Sequence, residues 1–452
     1  MASQTTIPFA TPPEEDEERK ACIAIDPPGF HIRHPPPPHA LKDFITPDSH
    51  LFETIHMGPA VVDEEKWLLV LDGLVRHPFA ITLPQLKSLP RTTLTAFHEC
   101  YGSPLTPPDK ALWRVGNVTW TGVKLSSLLD VAAPLARASF IWSEGLDRGA
   151  FAGVDADRYQ KDLPMERARG GGGVGGGGGG EVLIAYEMNG RALRRERGGP
   201  VRLVVPGWFG TNMTKWLCRL SAREGRAPSP FTTRWYNERV VASSSCAGGG
   251  DGGSSRDGGG AVAEGEVVVR PVWAVEPNSM IVDPPPDTRV LLLTGRGDDV
   301  AAGQGGSVEV EVSGWAWSHD GIASVRVSAN DGADGGWVDA HVADRVDCSW
   351  QAFRVKLALS VGIKRSNPVT EAHWLTLTGE QRGPGGASRQ AAALRREGVH
   401  VGRGSLGEYL VDFAAYGWFP SELPSEAAAG VDDSESDASG AEPAEAAAAA
   451  DE

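Results

Sequence analysis

Residues 95–105 read TAFHECYGSPL, and this segment is the most informative part of the chain. The residues up to Cys100 form a strand-like run, and the following Tyr-Gly-Ser-Pro predicts a sharp turn. A side chain at a strand end points into the kind of cleft where ligands bind. A thiolate there could bind a soft metal, whereas a free cysteine is more often a small, buried packing residue. The segment alone leaves both interpretations of Cys100 open.

The surrounding chain, about residues 61–223, predicts a mixed α+β domain, because short apolar runs bounded by Gly, Pro and Asn occur together with helical patterns. The predicted strands are KWLLVLDGLV (66–75), TLTAFHEC (93–100), SFIWSEGL (139–146), EVLIAYEMNG (181–190) and PVRLVVPG (200–207). The predicted helices are LSSLLDVAAPLA (125–136) and YQKDLPMERAR (159–169).

The pattern changes after about Val267 to alternating strands roughly ten residues apart, with turn residues between them. These strands are VEVEVSGWAWS (308–318), IASVRVSAND (322–331), GWVDAHVAD (336–344) and SWQAFRVKLAL (349–359). Such spacing is typical of an antiparallel, immunoglobulin-like β-sandwich. The expected fold class is therefore α+β, with a mixed α+β domain followed by a β-sandwich.

Biased segments set the expected domain boundaries. Residues 1–40 predict an extended Pro-rich arm, and the Gly-rich stretches at 170–180 and 241–265 predict a loop insert and a flexible linker. We therefore expect the α+β domain over 41–240 and the sandwich over 266–375. Residues 376–452 form an atypical C-terminal region whose Ala/acidic end is expected to be disordered.

The formal net charge of -16 comes mainly from two acidic segments, residues 14–18 and 422–452. The rest of the chain is nearly neutral, which disfavours a nucleic-acid-binding protein, since such proteins need a basic surface. No apolar run is long enough to span a membrane, and the N-terminus lacks the pattern of a secretory signal. We expect a cytoplasmic protein without nucleic-acid or membrane partners, although these features do not exclude an organelle.

Three other kinds of site are disfavoured. His98 and Cys100 are two residues apart, but no second closely spaced pair completes a four-ligand zinc site. The Gly-x-Ser-x-Gly motif of many serine hydrolases is absent. The glycine run at 170–180 leads into a strand-like segment, whereas a phosphate-binding loop leads through Lys and Ser or Thr into a helix.

Seven blocks in this order resemble the sulfite oxidase family of molybdenum-cofactor oxidoreductases. The blocks are FHIRHPPPP (30–38), the turn at Cys100, RVGNVTWTGVKLSSLL (114–129), EGLD (144–147), VLIAYEMNG (182–190), GGPVRLVVPGWFGTNMTKWL (198–217) and GWAWSHDGIASVRVSANDGADGGW (314–337). The resemblance implies that the α+β domain binds the molybdenum cofactor and that the sandwich mediates dimerisation. It also implies that Cys100 binds molybdenum.

The resemblance further implies a set of binding and catalytic residues. The implied cofactor-binding residues are Arg33, His34, Asp147, Arg202, Thr214 and Lys215. Arg202 and Lys215 lie within apolar runs, where an unpaired charge is costly, so a buried anionic partner is expected for both. Tyr236 resembles the active-site tyrosine of the family, although a surface aromatic residue is an equally good interpretation of its local pattern.

The sequence also departs from the family. The family cysteine is usually followed by Ala-Gly-Asn-Arg-Arg, whereas residues 101–105 read YGSPL, and residues 318–321 read SHDG where a further arginine is expected. Arg197 stands in place of a family histidine. A hydrogen bond to a charged group contributes roughly 1.5–3 kcal/mol, so the loss of two arginines should weaken binding of the sulfite dianion. These departures favour a less anionic substrate.

The sequence therefore predicts a homodimeric, molybdenum-dependent oxidoreductase that transfers an oxygen atom with two electrons. Its substrate would be a small oxyanion or a sulfur compound. An external acceptor would take the electrons, because neither a haem module nor a flavin fingerprint is found. The alternatives are a relative that reduces nitrate or a sulfoxide, and a non-catalytic cofactor-binding or scaffold protein with a decayed site.

Overall fold

The computed structural model describes eleven parts of the chain. They are residues 10–12, 18–103, 113–171, 180–241, 267–285, 288, 307–329, 336–360, 375–376, 401–403 and 409–411. The predicted linker at 241–265, most of the glycine insert and most of the region 376–452 lie outside these residues. The division into domains therefore stays a prediction.

Two compact units are distinguished, one of Met1–Ala242 with Gly249–Arg382, the other of Ser243–Gly248 with Gly383–Glu452. In the second unit, Val401–Arg403 pairs antiparallel with Tyr409–Val411. The first unit contains three larger sheets. Among the described residues, no helix has the length and apolar composition to span a bilayer.

The first sheet has five strands, in the spatial order Gln160–Pro164, Phe140–Gly145, Leu217–Arg223, Leu68–Gly73 and Phe79–Thr82. Its pairs are antiparallel except for Leu217–Arg223 with Leu68–Gly73, which is parallel. The central strands are rich in buried Leu, Val and Ile, as expected for strands covered on both faces.

The second sheet carries the informative cysteine segment at its edge. Its strands are Arg191–Ala192, Leu183–Met188, Val115–Lys124 and Thr92–Glu99, with Arg202–Val204 also pairing to Leu183–Met188. All pairs are antiparallel, and Thr92–Glu99 pairs with Val115–Lys124 along its whole length. Cys100 therefore lies immediately after the last paired residue of an edge strand.

A short helix, Leu125–Ala132, continues directly from the strand Val115–Lys124. Leu125, Leu128, Leu129 and Ala132 are buried, a spacing that places them on one helical face. They belong to a core cluster that also contains apolar residues of the first two sheets. The predicted helix at 125–136 is thus confirmed in its first two-thirds, and it ends where Ala133 adopts a left-handed conformation, with φ of 50°.

The third sheet contains six antiparallel strands, in the order Asn278–Asp283, Ser307–Trp317, Gln351–Ser360, Trp337–Val342, Val325–Ser328 and Leu375–Thr376. Each of the four strands predicted in this region is observed. The described residues show one sheet, so the expectation of an immunoglobulin-like sandwich remains a proposal.

The remaining elements are short. Two-stranded antiparallel pairs join Cys22–Ile25 to Ala60–Val62, His31–Arg33 to Glu53–Ile55, Gly149–Phe151 to Val154–Ala156, and Asn237–Val241 to Val267–Pro271. The other α-helices are Leu83–Lys87, Met165–Ala168 and Pro230–Thr233. The 3₁₀-helices are Glu18–Ala21, Pro38–Ala40, Arg195–Arg197 and Gly210–Asn212.

The helix predicted at residues 159–169 is wrong in its first half. Gln160–Pro164 is a strand that pairs with Phe140–Gly145, and only Met165–Ala168 is helical. Lys161 and Asp162 are both fully buried, and Asp162 accepts hydrogen bonds from the Arg226 guanidinium at 3.2 Å. The polar letters of this segment suggest an exposed helix face, but tertiary ion pairing allows a buried strand.

Replacing Leu129 by Ala should lower the free energy of unfolding by about 2–5 kcal/mol, because it removes methyl groups from a closely packed core. Chemical denaturation of the purified protein measures the change. Val131→Ala is the matched control in the same helix, since Val131 is 40% exposed and should change the value by only about 0.5 kcal/mol. Equal effects of the two substitutions would contradict this packing of the helix.

Candidate active site

A cavity of about 650 Å³ opens beside the end of the strand Thr92–Glu99. Its lining combines one thiol, one buried carboxylate, three cationic side chains and several aromatic rings. These residues include Cys100, Asp147, Arg197, Arg202, Lys215, His56, His98, Tyr101, Tyr159, Trp216 and Tyr236. Such a mixture of apolar walls and a few polar groups is typical of a small-molecule site.

The alternation of side chains along the strand places Cys100 on the face that lines the cavity. His98 and Cys100 both line it, whereas the side chain of Glu99 accepts hydrogen bonds from Trp317 Nε1 at 2.8 Å and Asn278 Nδ2 at 3.3 Å. One face of the strand end thus faces the cavity and the other faces the third sheet. Burial raises the pKa of Glu99 to about 7.

The turn after the strand is held by backbone hydrogen bonds. The Cys100 N–H donates to the Arg114 carbonyl at 2.9 Å, and the Ser103 N–H donates to the Cys100 carbonyl at 2.9 Å. Thr54 Oγ1 lies 3.7 Å from Cys100 Sγ. The sulfur is therefore fixed at a defined place on the cavity wall, and Cys100 is only partly buried.

Two of the cationic residues lack an ion pair with any carboxylate in the described part of the chain. The Arg202 guanidinium is 2% exposed and donates to the carbonyls of Arg197 and Met213. The Lys215 ammonium donates to the carbonyls of Thr54 and Glu196. Burial, followed by the charges of neighbouring arginines, lowers the pKa of Lys215 to about 7 and that of Arg202 to about 9.

Arg197 is buried behind the same wall. Its guanidinium pairs with Asp48 at 2.5 Å and donates to the carbonyls of Leu51 and Phe52 at 2.9 and 2.6 Å. These bonds fix the strand at residues 52–56 against the 3₁₀-helix that contains Arg197. Arg197, which stands in place of a family histidine, is therefore part of the cavity lining and brings a positive charge to it.

Asp147 supplies the buried carboxylate. Its Oδ1 has no hydrogen-bond partner in the described part of the chain, and burial raises its pKa to about 7. The approach of this side chain depends on Gly145, because a Cβ there would lie 2.4 Å from Asp147 Oδ1 and 2.7 Å from the Lys215 carbonyl. The EGLD motif thus brings an unpaired acceptor close to the lysine segment.

Tyr236 and His56 form a hydrogen-bonded pair on the cavity wall, with 2.5 Å between the tyrosine hydroxyl and His56 Nε2. Burial and the charges of Lys215 and Lys161 lower the pKa of His56 to about 3. Its imidazole is therefore neutral and can accept a hydrogen bond from the tyrosine hydroxyl. Burial raises the pKa of Tyr236, which keeps the phenol protonated. Tyr236 has φ of 57°, a left-handed conformation unusual for a bulky residue.

The structure brings together most of the residues predicted from the sequence. Those that line the cavity are Cys100, Asp147, Arg202, Lys215 and Tyr236. Arg33, His34 and Thr214 do not line it. Arg33 donates to the carbonyls of Asp48 and Leu51, and Thr214 is buried with its hydroxyl 2.7 Å from that of Ser143, so both support the wall from behind. His34 is exposed.

The stretch FETIH at residues 52–56 has no local pattern that indicates a site, although each of its residues lines the cavity. Its pairing with His31–Arg33 explains the difference, because the predicted Pro-rich arm provides only the neighbouring strand. Tyr159 was also missed, since it lies in the segment predicted to be helical. A histidine followed by Met-Gly-Pro offers no spacing that distinguishes a site residue.

The geometry can be compared with known proteins. Residues 56–231 match the family model described as "Oxidoreductase molybdopterin binding domain". The chain is 26% identical over 388 residues to mitochondrial sulfite oxidase from Homo sapiens, covering 81% of this chain and 63% of that protein. Residues 56–231 thus resemble a molybdopterin-binding oxidoreductase domain, and most of the chain is similar to sulfite oxidase.

Two further proteins are similar to this chain. It is 26% identical over 353 residues to a nitrate reductase [NADH] from Ulva prolifera, covering 71% of this chain and 38% of that protein. The crystal structure of the sulfane dehydrogenase SoxCD from Paracoccus pantotrophus is similar, with a TM-score of 0.53 and 26% identity. That similarity covers 79% of this chain and 81% of the SoxCD chain. The chain thus spans less than two-thirds of the length of the human relative.

The residues of the cavity fit the molybdenum cofactor that this family implies. The unpaired Arg202 and Lys215 suit an anionic group such as a phosphate. The free Oδ1 of Asp147 suits an N–H donor of a pterin. The Cys100 thiol suits a soft, high-valent metal. Each of these groups thus suits a different part of the cofactor.

Lys215→Met should change the pH dependence of stability in the cofactor-free protein. The lysine has a pKa of about 7 when folded and 10.5 in its ordinary state, so the unfolded chain binds more protons between these values. The free energy of unfolding therefore rises with pH across this window, and the methionine variant should lose that part of the rise.

Urea denaturation at pH 7 and pH 9.5 measures this difference, with Lys87→Met on an exposed helical position as the matched control. The control should follow the wild-type pH dependence. If the Lys215→Met curve also runs parallel to that of the wild type, the ammonium is not buried without a counter-ion.

Proposed function

We propose that this protein is a molybdenum-cofactor-dependent oxidoreductase similar to sulfite oxidase, which transfers an oxygen atom and two electrons to or from a small substrate. The observation that carries the proposal is the meeting, in one cavity, of the Cys100 thiol with Arg202 and Lys215, which have no carboxylate partner among the described residues. An apolar binding pocket or a structural core would not collect uncompensated charge in this way, because burying a charge is costly.

The cations, the buried carboxylate and the thiol of the cavity would hold the cofactor. Lys215, Arg202 and Arg197 would bind its anionic end, and Asp147 would accept a hydrogen bond from the pterin. Cys100 would bind the metal. When bound, the molybdenum centre supplies the two-electron oxygen-atom chemistry, while the protein orients the substrate and controls charge and solvent.

The pair of Tyr236 and His56 lies where a substrate would approach. Because His56 stays neutral, it holds the Tyr236 hydroxyl in one orientation while leaving the oxygen able to accept a hydrogen bond from a second group. The Lys161 ammonium lies 5.4 Å from the centre of the Tyr236 ring, over its face, and so helps to hold the ring in place. We assign Tyr236 to substrate contact and His56 to positioning.

The assembly and the partners belong to the same proposal. The third sheet, with the strands predicted to form an immunoglobulin-like sandwich, would mediate a homodimer. An external electron carrier would exchange electrons with the centre. The substrate would be a small oxyanion or a sulfur compound, since the sulfite oxidase and sulfane dehydrogenase relatives are named for such molecules.

Cys100→Ser should abolish the metal-centred spectrum of the protein, because a serine hydroxyl is a poor replacement for a thiolate ligand of a soft metal. Protein from a host that makes the cofactor should contain about one molybdenum per chain, measured by elemental analysis together with the visible absorption spectrum. Wild-type protein without molybdenum would refute the proposed function.

Cys22→Ser is the matched control. Cys22 is buried outside the cavity and its sulfur contacts the Ala24 carbonyl, a role that a hydroxyl can take over. This variant should keep both metal and spectrum. A Cys100→Ser spectrum indistinguishable from that of the wild type would contradict the assignment of the sulfur as a metal ligand.

Reduction of an oxidised substrate is the second candidate, favoured by the similarity to a nitrate reductase. Steady-state assays distinguish the two directions: sulfite with ferricyanide as acceptor, and nitrate with reduced viologen as donor. We expect saturable turnover with sulfite, since positive charge surrounds the cavity. Saturation with nitrate alone would favour the reductase, and bound cofactor without turnover of either would favour the non-catalytic alternative.

A further inference from the structure

Arg114 is a basic residue beside the cysteine that the proposed function does not yet use. Its Nη1 lies 3.8 Å from Cys100 Sγ. Two backbone contacts fix it there: its carbonyl accepts from the Cys100 N–H, and its own N–H donates to Ser103 Oγ at 3.0 Å. These two hydrogen bonds connect the residue before the strand Val115–Lys124 to the cysteine turn. They hold Arg114 so that its guanidinium faces the sulfur.

Gly102 makes room for this guanidinium. A Cβ at residue 102 would lie 2.9 Å from Arg114 Nη1 and 3.3 Å from its Cζ, both closer than ordinary contact. Any larger residue would push the arginine away from the sulfur or force the turn to move. The glycine after Tyr101 therefore permits the close approach of a cation that comes from a different strand.

Arg114 forms no ion pair with a carboxylate in the described part of the chain. The nearby Glu238 pairs instead with Arg270 at 2.9 Å and contacts the Tyr101 hydroxyl. An arginine has five N–H donors, and among the residues that the structure describes the Arg114 side chain makes one hydrogen bond, to the Cys100 sulfur. Most of its donors are therefore available to another acceptor.

The other cations of the site serve a different end of the cavity. Arg197, Arg202 and Lys215 are assigned to the cofactor, and their donors already contact backbone carbonyls. Arg114 lies next to Cys100, and its positive charge also acts on the Tyr236 hydroxyl. The Arg114 guanidinium thus contacts the Cys100 sulfur, and this sulfur and the Tyr236 phenol both belong to the cavity lining.

We propose that Arg114 binds the negatively charged oxygens of the substrate and so determines specificity for a small oxyanion. This inference rests on the proposed function, because it places the substrate beside the metal ligand. The arginine would take the place of the cations missing from the YGSPL turn, so the substrate in this proposal is anionic. The ring of Tyr101 lies 5.3 Å from that of Phe209 and 6.0 Å from that of Tyr236. These aromatic rings narrow the space beside Arg114, which favours a small anion.

Sulfate binding to the molybdenum-loaded protein tests the proposal without turnover. Isothermal titration calorimetry should show that Arg114→Ala weakens sulfate binding by about 10- to 100-fold, the range expected for loss of hydrogen bonds from a charged donor. Arg114→Lys should lie in between, because an ammonium lacks the bidentate geometry. With sulfite as substrate, KM should rise by a similar factor and kcat should change much less.

Gly102→Ala provides an independent variant that retains the arginine but moves its guanidinium. It should weaken sulfate binding in the same direction. Arg169→Ala is the matched control, since Arg169 forms an exposed ion pair with Asp130 away from the cavity lining. This control should bind sulfate like the wild type. Molybdenum content and thermal unfolding are measured for every variant.

The outcomes are distinguishable. Molybdenum missing from the wild type overturns the proposed function. Molybdenum present, with sulfate affinity of Arg114→Ala within about twofold of the wild type, overturns only the role of Arg114. If Arg114→Ala does not fold or load, Arg114→Lys and Gly102→Ala decide, and unchanged sulfate affinity in both rejects the proposal. A loaded wild type that does not bind sulfate also rejects it.

Discussion

Uncompensated positive charge around one cavity is the constraint on which the rest of the site depends. Arg202 and Lys215 donate only to backbone carbonyls, and Arg114 donates to a sulfur, so none of the three has a carboxylate partner in the described chain. Burying cations without counter-ions opposes folding, and the cost is relieved only when an anion enters. Binding and stability would therefore be linked, because the groups that are costly to bury are the ones proposed to hold the ligands.

The two faces of a single strand connect this cavity to the third sheet. Cys100 and His98 face the cavity, while Glu99 accepts from Trp317 and Phe97 packs in a cluster with Trp317 and Trp350. A shift of the strand by one residue would exchange the two faces, so the tryptophan contacts also fix the position of the sulfur. The third sheet thus contributes to the site although it supplies none of the residues that line it.

Much of the site was predictable because short motifs carry the resemblance to the family. That resemblance pointed to Cys100, Asp147, Arg202 and Lys215, and the structure places all four around one cavity. Arg33 was assigned by likeness of a proline-rich motif, yet its strand lies one position outside the wall formed by residues 52–56. Two neighbouring strands of similar composition cannot be distinguished until their pairing is known.

The sequence by itself determined most of the strand positions and the place of Cys100 at a strand end, since alternation and turn residues act over a few positions. Tertiary structure alone decided that Gln160–Pro164 is a strand, that His56 meets Tyr236, and that Arg114 reaches Cys100 across 14 positions. These contacts depend on sheet register and on the space left at Gly102, and both are properties of the packed chain that no local pattern contains.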